Sequence, residues 1–154
     1  MYEDDEDRIG AAEQLAEHDP QAAAEEFWAI ACDRTAGDEV RLSAAELLAN
    51  AVPAAAGPAC VAIASDPEVG DEVRLSAAEL LANADPAAAG PACVAIARDS
   101  GVGDEVRLSA AELLTNADPA AAGLACQAIA SDPEVGDEVR MSAAEQLAAL
   151  SPSA

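Results

Sequence analysis

Apolar residues recur along this chain with the spacing of α-helices, and polar residues fill the positions between them. In the stretch from Glu72 to Asn83 the apolar positions share one helical face and are Val73, Ala77, Leu80, Leu81 and Ala84. The opposite face carries Glu72, Ser76, Glu79 and Asn83. Spacings of three and four residues predict an amphipathic helix with one buried side. Asp71 precedes this helix and is the expected N-cap.

A second helix is predicted directly after the first. Asp85 is followed by Pro86 at the first helical position, where the missing N–H of proline costs no hydrogen bond. The helix is expected to run to about Ala97 and to direct inward Ala89, Cys93 and Ile96. The Gly90–Pro91 pair is expected to bend this helix or to delay its regular start, because proline cannot donate to the carbonyl one turn back.

This pair of helices is one copy of a unit that fills the chain. The 33-residue unit that begins at Gly70 matches the one that begins at Gly37 at 29 positions, and the one that begins at Gly103 at 27 positions. A diverged copy comes first and a half unit comes last. The predicted units of a single domain, 1–154, are 4–36, 37–69, 70–102, 103–135 and the half unit 136–150. A fixed period of this length predicts a stacked array of helix pairs, and the pattern predicts no strand.

The unit resembles a known repeat. The residues that carry the resemblance in the second helix are Asp85, Pro86, Pro91 and Ala92. Those in the first helix are Glu72, Val73, Arg74, Ala77, Ala78, Glu79 and Leu81. Their pattern is similar to the HEAT-like repeat, in the short variety also found in phycobilin lyases. The resemblance implies an all-α, right-handed α-solenoid of about four and a half units, whose second helices line the concave side.

Charged residues also recur at fixed places in the unit. The repeated arginines are Arg41, Arg74, Arg107 and Arg140. The carboxylates in register with them are Glu46, Glu79, Glu112 and Glu145, and Asp38, Asp71, Asp104 and Asp137. Bonds from these arginines to carboxylates of neighbouring units are expected to form a ladder along the stack, with the bidentate geometry that arginine provides. The alternative is that the arginines bind a ligand, but a structural ladder explains why they recur in every unit.

Positions at which near-identical copies differ are the candidate binding surface. They concentrate on one line of the second helix, at offsets of three and seven residues, which trace one helical face. We call this surface the stripe, and its candidate contact residues are Glu25, Trp28, Pro58, Val61, Pro91, Val94, Arg98, Leu124 and Gln127. The last position of the same line holds Cys32, Ser65, Arg98 and Ser131. The HEAT-like resemblance places the stripe beside the concave groove, where the only tryptophan, Trp28, is the expected anchor.

Two alternatives to a binding stripe remain open at this stage. A free surface accumulates substitutions because a packed core does not tolerate them, so variation alone does not establish binding. The first unit is also the end of the array, where Phe27 and Trp28 are able to cover an exposed core.

Net charge restricts the class of partner. The chain has 30 acidic residues against seven Lys and Arg, all of them arginine, and a formal net charge of −23. This balance disfavours binding to nucleic acid, whose affinity comes from basic residues that displace counterions. It also disfavours an anionic membrane surface. Two interpretations of the acidity remain: solubility, including solubility in a salty cytoplasm, or attraction to a basic partner.

The sequence carries none of the residue patterns that mark common catalytic or metal sites. It has a single histidine, His18 in a predicted turn, and no phosphate-binding loop, nucleophile–base pair or HExxH. Three of the four cysteines, Cys60, Cys93 and Cys126, are one unit apart, too far for a disulfide, and are expected to be buried. Cys32 is expected to be partly exposed. We therefore expect no enzyme activity, cofactor or metal.

Three functional hypotheses follow. The first is a scaffold that binds a protein or peptide, preferably a basic one, through the stripe. The second is an acidic inhibitor, either an antitoxin, an immunity-type protein or a mimic of nucleic acid. The third is an accessory subunit of an enzyme, as the bilin-lyase-like resemblance implies; a pure spacer remains possible. Without a signal peptide or a long apolar run, we expect a soluble cytoplasmic monomer or weak homo-oligomer.

Overall fold

A computed structural model describes the backbone of residues 2–150 and the side chains from residue 4 onward. Residue 1 and residues 151–154, which the predicted domain includes, lie outside the described residues. The described chain forms nine helices in tandem and no strand. The helices are α1 (Tyr2–Ala16), α2 (Pro20–Cys32), α3 (Asp38–Ala51), α4 (Pro53–Ala64), α5 (Asp71–Ala84), α6 (Pro86–Arg98), α7 (Asp104–Ala117), α8 (Pro119–Ala130) and α9 (Asp137–Leu150).

The helices alternate between two places in the stack. We call α1, α3, α5, α7 and α9 the first helices and α2, α4, α6 and α8 the second helices. Each helix packs against its neighbours along the chain and against the helix of the same kind in the adjacent unit. The predicted all-α solenoid is therefore confirmed. Between residues 2 and 150, no helix combines the length and the apolar composition that crossing a membrane requires.

The helix ends agree with the sequence prediction except at one cap. The Asp85 carboxylate accepts a hydrogen bond from the Ala88 N–H at 3.3 Å, so the predicted cap of the second helix is confirmed. The prediction that Asp71 caps the first helix is wrong. Gly70 is the N-cap, without a side-chain hydrogen bond, and Asp71 is the first residue of α5. The Asp71 carboxylate instead accepts a hydrogen bond from the Gly103 N–H of the next unit.

The core consists mainly of alanine, and each helix from α2 to α8 adds one large aliphatic residue that is completely buried. These large residues are Ile30, Leu48, Ile63, Leu81, Ile96, Leu114 and Ile129. The burial of three cysteines is confirmed for Cys60, Cys93 and Cys126. All four cysteines are free. Burial is the main reason that the pKa of Cys60 and of Cys93 is raised to about 11, which keeps both side chains as neutral thiols.

Glycine precedes the proline inside the second helix for a steric reason. Helix α6 continues from Pro86 to Arg98 with Pro91 inside it, so of the two expected effects, a bend or a delayed regular start, the delayed start is wrong. A residue before proline usually avoids the helical conformation because its Cβ meets the proline ring, and Gly90 has no Cβ. Ala87, whose carbonyl loses its N–H partner to Pro91, is exposed to water. The Gly–Pro pair therefore costs this helix one hydrogen bond without ending it.

Aspartates at the start of the first helices connect successive units. The Asp38 carboxylate accepts a hydrogen bond from the Gly70 N–H at 2.8 Å, and Asp71 accepts one from Gly103 at the same distance. The remaining bonds of this ladder join Asp5 to Gly37 and Asp104 to Gly136. Each bond places one unit at a fixed distance and register from the next.

The repeated arginines form a second ladder, but with other partners than the sequence suggested. Arg74 is buried and donates from Nε to the Ala64 carbonyl at 2.9 Å and from Nη1 to Asp99 at 3.0 Å. The same pair of bonds joins Arg41 to Ala31 and Asp66, and Arg107 to Ala97 and Asp132. The predicted pairing with the Glu46 and Asp38 classes is therefore wrong for these three arginines. Their carboxylate is the aspartate that follows the second helix.

The arginine ladder crosses unit boundaries through backbone rather than through carboxylates. Ala64 ends the second helix of one unit, whereas Arg74 and Asp99 belong to the next. The bidentate geometry occurs at Arg34, which donates to both oxygens of Asp66 at 3.1 and 3.2 Å. The buried arginine therefore binds the last carbonyl of the preceding second helix, and an aspartate of its own unit neutralises its charge.

Hydrogen bonds hold the loop aspartates in their ionised form. The side chain of Arg74, then the Gly101 N–H, lower the pKa of Asp99. At Asp66 burial acts in the opposite direction, but donation from the Glu68 N–H and from Arg41 and Arg34 outweighs it and lowers the pKa. Each of these carboxylates therefore stabilises the stack as long as it is ionised.

Substitution of Gly123 by alanine is expected to raise the free energy of unfolding by about 0.5–1 kcal/mol, because glycine is unfavourable inside a helix. The added methyl group would meet Leu147 Cδ1 at 3.8 Å, an ordinary contact, and the next residue is Leu124 instead of proline. Gly90→Ala is the matched control. Its methyl group also has room, with Asp118 Oδ2 at 3.7 Å, but the following proline should cancel the gain. Equal gains in urea denaturation would refute the steric explanation.

Asp99→Asn is expected to lower the free energy of unfolding at pH 7 by about 1–2 kcal/mol, because a charge-assisted bond to buried Arg74 is weakened. The folded-state pKa of Asp99 is depressed, so its contribution is complete above the unfolded pKa of about 3.9 and disappears as pH falls through the folded pKa. Wild type and variant should therefore converge in stability at acidic pH. The exposed Glu72→Gln serves as a control, and a difference that persists at low pH would contradict the ionic explanation.

Candidate binding surface

The structure leaves the stripe accessible. Val61 and Val94 are half-buried against the core, and the other candidate contact residues are exposed. Trp28 is 38% exposed and Leu124 is 53% exposed, two of the three exposed large hydrophobic residues among the side chains of residues 4–150. Both are therefore accessible to a partner.

Packing of the second helices arranges the stripe in rows. Helix α2 contacts α4, α4 contacts α6, and α6 contacts α8, so equivalent positions follow one another across the array. One row contains Glu25, Pro58, Pro91 and Leu124. The next contains Trp28, Val61, Val94 and Gln127. The third contains Cys32, Ser65, Arg98 and Ser131. An acidic and an aromatic residue thus begin the first two rows, and Leu124 and Gln127 end them.

Phe27 and Trp28 have different environments in the first unit. Phe27 is 2% exposed and occupies the place that Cys60 has in the next unit. Its larger side chain fills the core at the end of the array. Trp28 lies beside it with more than a third of its surface in water. The core of the first unit is therefore closed by Phe27, and the Trp28 ring remains on the surface.

Arg98 is the positive residue of the stripe. The other six arginines each form an ion pair within the described residues, whereas Arg98 has no described carboxylate partner. It is exposed in the last turn of α6, where a cation interacts favourably with the helix dipole. Its guanidinium group is available to a carboxylate or carbonyl of a partner.

Acidic residues concentrate along another edge of the stack. Each first helix from α3 to α9 begins with an Asp–Glu pair. Between the first three units these ends line a groove of about 740 Å³, together with Thr35, Gly37 and Gly70. Among the described residues, no group of three or more His, Cys, Asp or Glu side chains is arranged to hold a metal ion. The sequence analysis did not locate this edge, although the repeated Asp–Glu dipeptide marks it.

No family model, curated protein sequence or solved structure matches the chain. The α-solenoid architecture follows from the packing of the helices. The resemblance to the HEAT-like repeat rests on the residues of the repeat alone.

Thiol reagents are expected to distinguish Cys32 from the other cysteines. Cys32 is half-buried at the end of α2, whereas Cys60, Cys93 and Cys126 are completely buried. One thiol should therefore react with a maleimide in the native protein, and four should react in urea, as counted by mass spectrometry. Cys32→Ser should abolish native labelling. Fast labelling of Cys93 in that variant would show that the stack opens under native conditions.

Proposed function

We propose that this chain is a non-catalytic, HEAT-like scaffold that binds a protein or peptide through the stripe, on the concave side of the solenoid. The observation that carries the proposal is the combination of sequence difference and exposure. The units that begin at Gly70 and Gly103 match at 27 of 33 positions. Three of the positions at which they differ, those of Pro91, Val94 and Arg98, lie on the second helix with partly or fully exposed side chains. A repeat array offers a constant framework on which such positions alone determine what is bound.

Apolar contact is assigned to four residues of the stripe: Trp28, Val61, Val94 and Leu124. Trp28 is the expected anchor because a partly exposed tryptophan buries a large area on binding at little entropic cost. Arg98 and Gln127 are expected to select polar groups of the partner. Arg98 would pair with a carboxylate or carbonyl, so the preferred partner has apolar residues and at least one acceptor along its contact line.

Electrostatic attraction favours a partner that is basic overall. A net charge of −23 on 154 residues produces a strong negative field, which accelerates encounter with cationic proteins. In this proposal the field brings the partner near and the stripe determines which partner stays. Affinity at high salt should then come mainly from the apolar contacts.

The acidic edge supports a second candidate function, an inhibitor that blocks a basic site by charge. Asp5, Glu6, Glu39, Asp71 and Glu72 line one groove and could meet the arginines or lysines of a target. Such a complex would dissociate as salt rises. The salt dependence of binding therefore separates the two candidates.

Selection from a displayed library of random peptides, performed at low and at high salt, tests the proposed function. Trp28 is the only tryptophan, so peptides that occupy the stripe should change its fluorescence emission. Trp28→Ala is expected to weaken their binding by about 2 kcal/mol or more, as hot-spot residues do. Met141→Ser, a change at another exposed large apolar residue, should leave their binding unchanged.

The free energy of unfolding of two variants shows whether Trp28 anchors a partner or covers the core at the end of the array. Phe27→Ala is expected to lower the free energy of unfolding by about 3–5 kcal/mol, because it empties the core. Trp28→Ala should cost clearly less, about 1–2 kcal/mol, because its side chain is already partly exposed. If both variants lose equal stability and peptide binding is unaffected by Trp28→Ala, the stripe is not the binding surface. Peptides that bind at low salt alone would favour the charge-driven inhibitor.

A further inference from the structure

The segment that follows the second helix differs between the unit that begins at Gly70 and the units on either side of it. In those two units the segment is 65–69 and 131–135, and both copies read SDPEV. We call them the flanking linkers. Residues 98–102, the central linker, read RDSGV. The central linker thus has arginine where the flanking linkers have serine, and glycine where they have glutamate. Both differences make it more positive.

The backbone of the central linker does not require its glycine. The Gly101 N–H donates to Asp99 Oδ1 at 2.9 Å, and the N–H groups of the equivalent glutamates donate the same bond at 3.1 and 3.0 Å. The φ of Gly101 is not positive. A Cβ at Gly101 would lie 3.2 Å from Asp99 Oδ1, and the flanking linkers form the same bond with a Cβ in place. Gly101 therefore leaves the turn unchanged and removes a surface carboxylate.

A carboxylate at that position is able to neutralise an arginine. In the earlier flanking linker, the Glu68 side chain is 82% exposed and accepts a hydrogen bond from Arg34 at 3.2 Å. The central linker has no glutamate there, and its Asp99 already accepts bonds from Arg74 at 3.0 Å and from the Gly101 N–H. The linker that gains an arginine is therefore also the one that lacks a surface carboxylate.

Arg98 is the cation that results. It is exposed, and no carboxylate of residues 4–150 forms an ion pair with it, although the chain has 30 acidic residues. Val94 precedes it by one turn of α6, so the two side chains lie on the same face of that helix. The stripe therefore has a cation beside its apolar row, at one defined unit.

The unit of Arg98 determines its distance from Trp28. Helix α2 packs on α4 and α4 packs on α6, so the two residues are two helices apart. Packed helices lie roughly 8–10 Å apart, which gives about 20 Å between these positions. An extended chain advances about 3.3 Å per residue. A peptide that contacts both residues therefore needs a spacing of about six residues between its two contact positions.

We propose that the central linker binds one Asp or Glu side chain of the peptide that occupies the stripe, and that this ion pair fixes the register of the peptide. The inference rests on the proposed function. The peptide places a large apolar residue on Trp28 and its carboxylate on Arg98, about six residues away in an extended chain. Arginine suits this role because its planar group donates two parallel bonds to a carboxylate.

The flanking linkers oppose the same carboxylate in other registers. A shift by one unit would move it from Arg98 to a serine, near the exposed Glu68 or Glu134. Attraction at one linker and repulsion at its neighbours together select a single register. The net charge of −23 restricts the rest of the peptide, because a segment with many carboxylates would be repelled as a whole. The occupant is therefore an apolar or basic segment with one carboxylate.

Synthetic peptides test the inference. Peptides that the displayed library yields on wild type are made with amidated C-termini, and each is compared with a form in which its Asp is replaced by Asn or its Glu by Gln. At low salt the carboxylate form is expected to bind about three- to tenfold more tightly, a factor between those of an exposed ion pair and a charged hydrogen bond. This preference should decrease as salt rises.

The chain provides a matched control protein. Arg98→Ser, Ser100→Pro and Gly101→Glu together give the central linker the sequence of the flanking linkers. This restored variant should bind the amide peptides as wild type does and should lose the preference for a carboxylate. Circular dichroism establishes that it remains folded.

A second variant tests the register directly. Ser131→Arg, Pro133→Ser and Glu134→Gly, added to the restored variant, move the RDSGV sequence to the next unit. Peptides selected on this protein should carry their carboxylate about three residues further from the apolar residue, the extended length that spans one more helix.

Two results would overturn the inference and leave the proposed function intact. One is that peptides whose binding requires Trp28 do not distinguish carboxylate from amide on wild type. The other is that the preference persists in the restored variant, or that its spacing does not change in the second variant. Peptides that bind independently of Trp28, or a library that yields none, would overturn the proposed function and this inference together.

Discussion

A buried arginine in each of the three units that begin at Gly37, Gly70 and Gly103 is the interaction on which the stack depends. Arg41, Arg74 and Arg107 are almost inaccessible to water. A charge in such a place is tolerated only when its donors are paired. One bond goes to the last turn of the preceding helix and one to an aspartate of its own unit. No unit can provide all the hydrogen-bond acceptors of its own arginine. Folding of neighbouring units is therefore coupled.

The two ladders complement a core of small side chains. Alanine allows helices to approach closely, but it provides little shape to fix how far one helix slides along another. Polar bonds at fixed positions provide that register. The Asp38 to Gly70 bond sets the start of each first helix, and the arginine sets the end of each second helix. The side chain of the exposed Arg98 belongs to neither ladder, so this position can vary without breaking a bond of either one.

The helices, the repeat and the core could be predicted from the sequence, because each depends on the spacing of residues along the chain. The inward direction of Cys93 and Ile96 could be derived from one helical turn, whereas the exposed position of Trp28 beside the buried Phe27 could not. Neither could the partners of Arg74. Its aspartate lies 25 residues away, in a turn whose conformation brings Asp99 back to the first helix, and nothing in the spacing distinguishes that carboxylate from Glu79 or Asp71.

The ladder from aspartate to glycine has a consequence for how such a protein can change over time. Every junction uses the same two groups, so removal or duplication of 33 residues between equivalent points rejoins identical partners. The length of the molecule is therefore adjustable in whole steps with no new interface to invent. Each added unit would bring one more second helix, and so one more residue to each row of the stripe. The accessible surface would then lengthen without any point substitution.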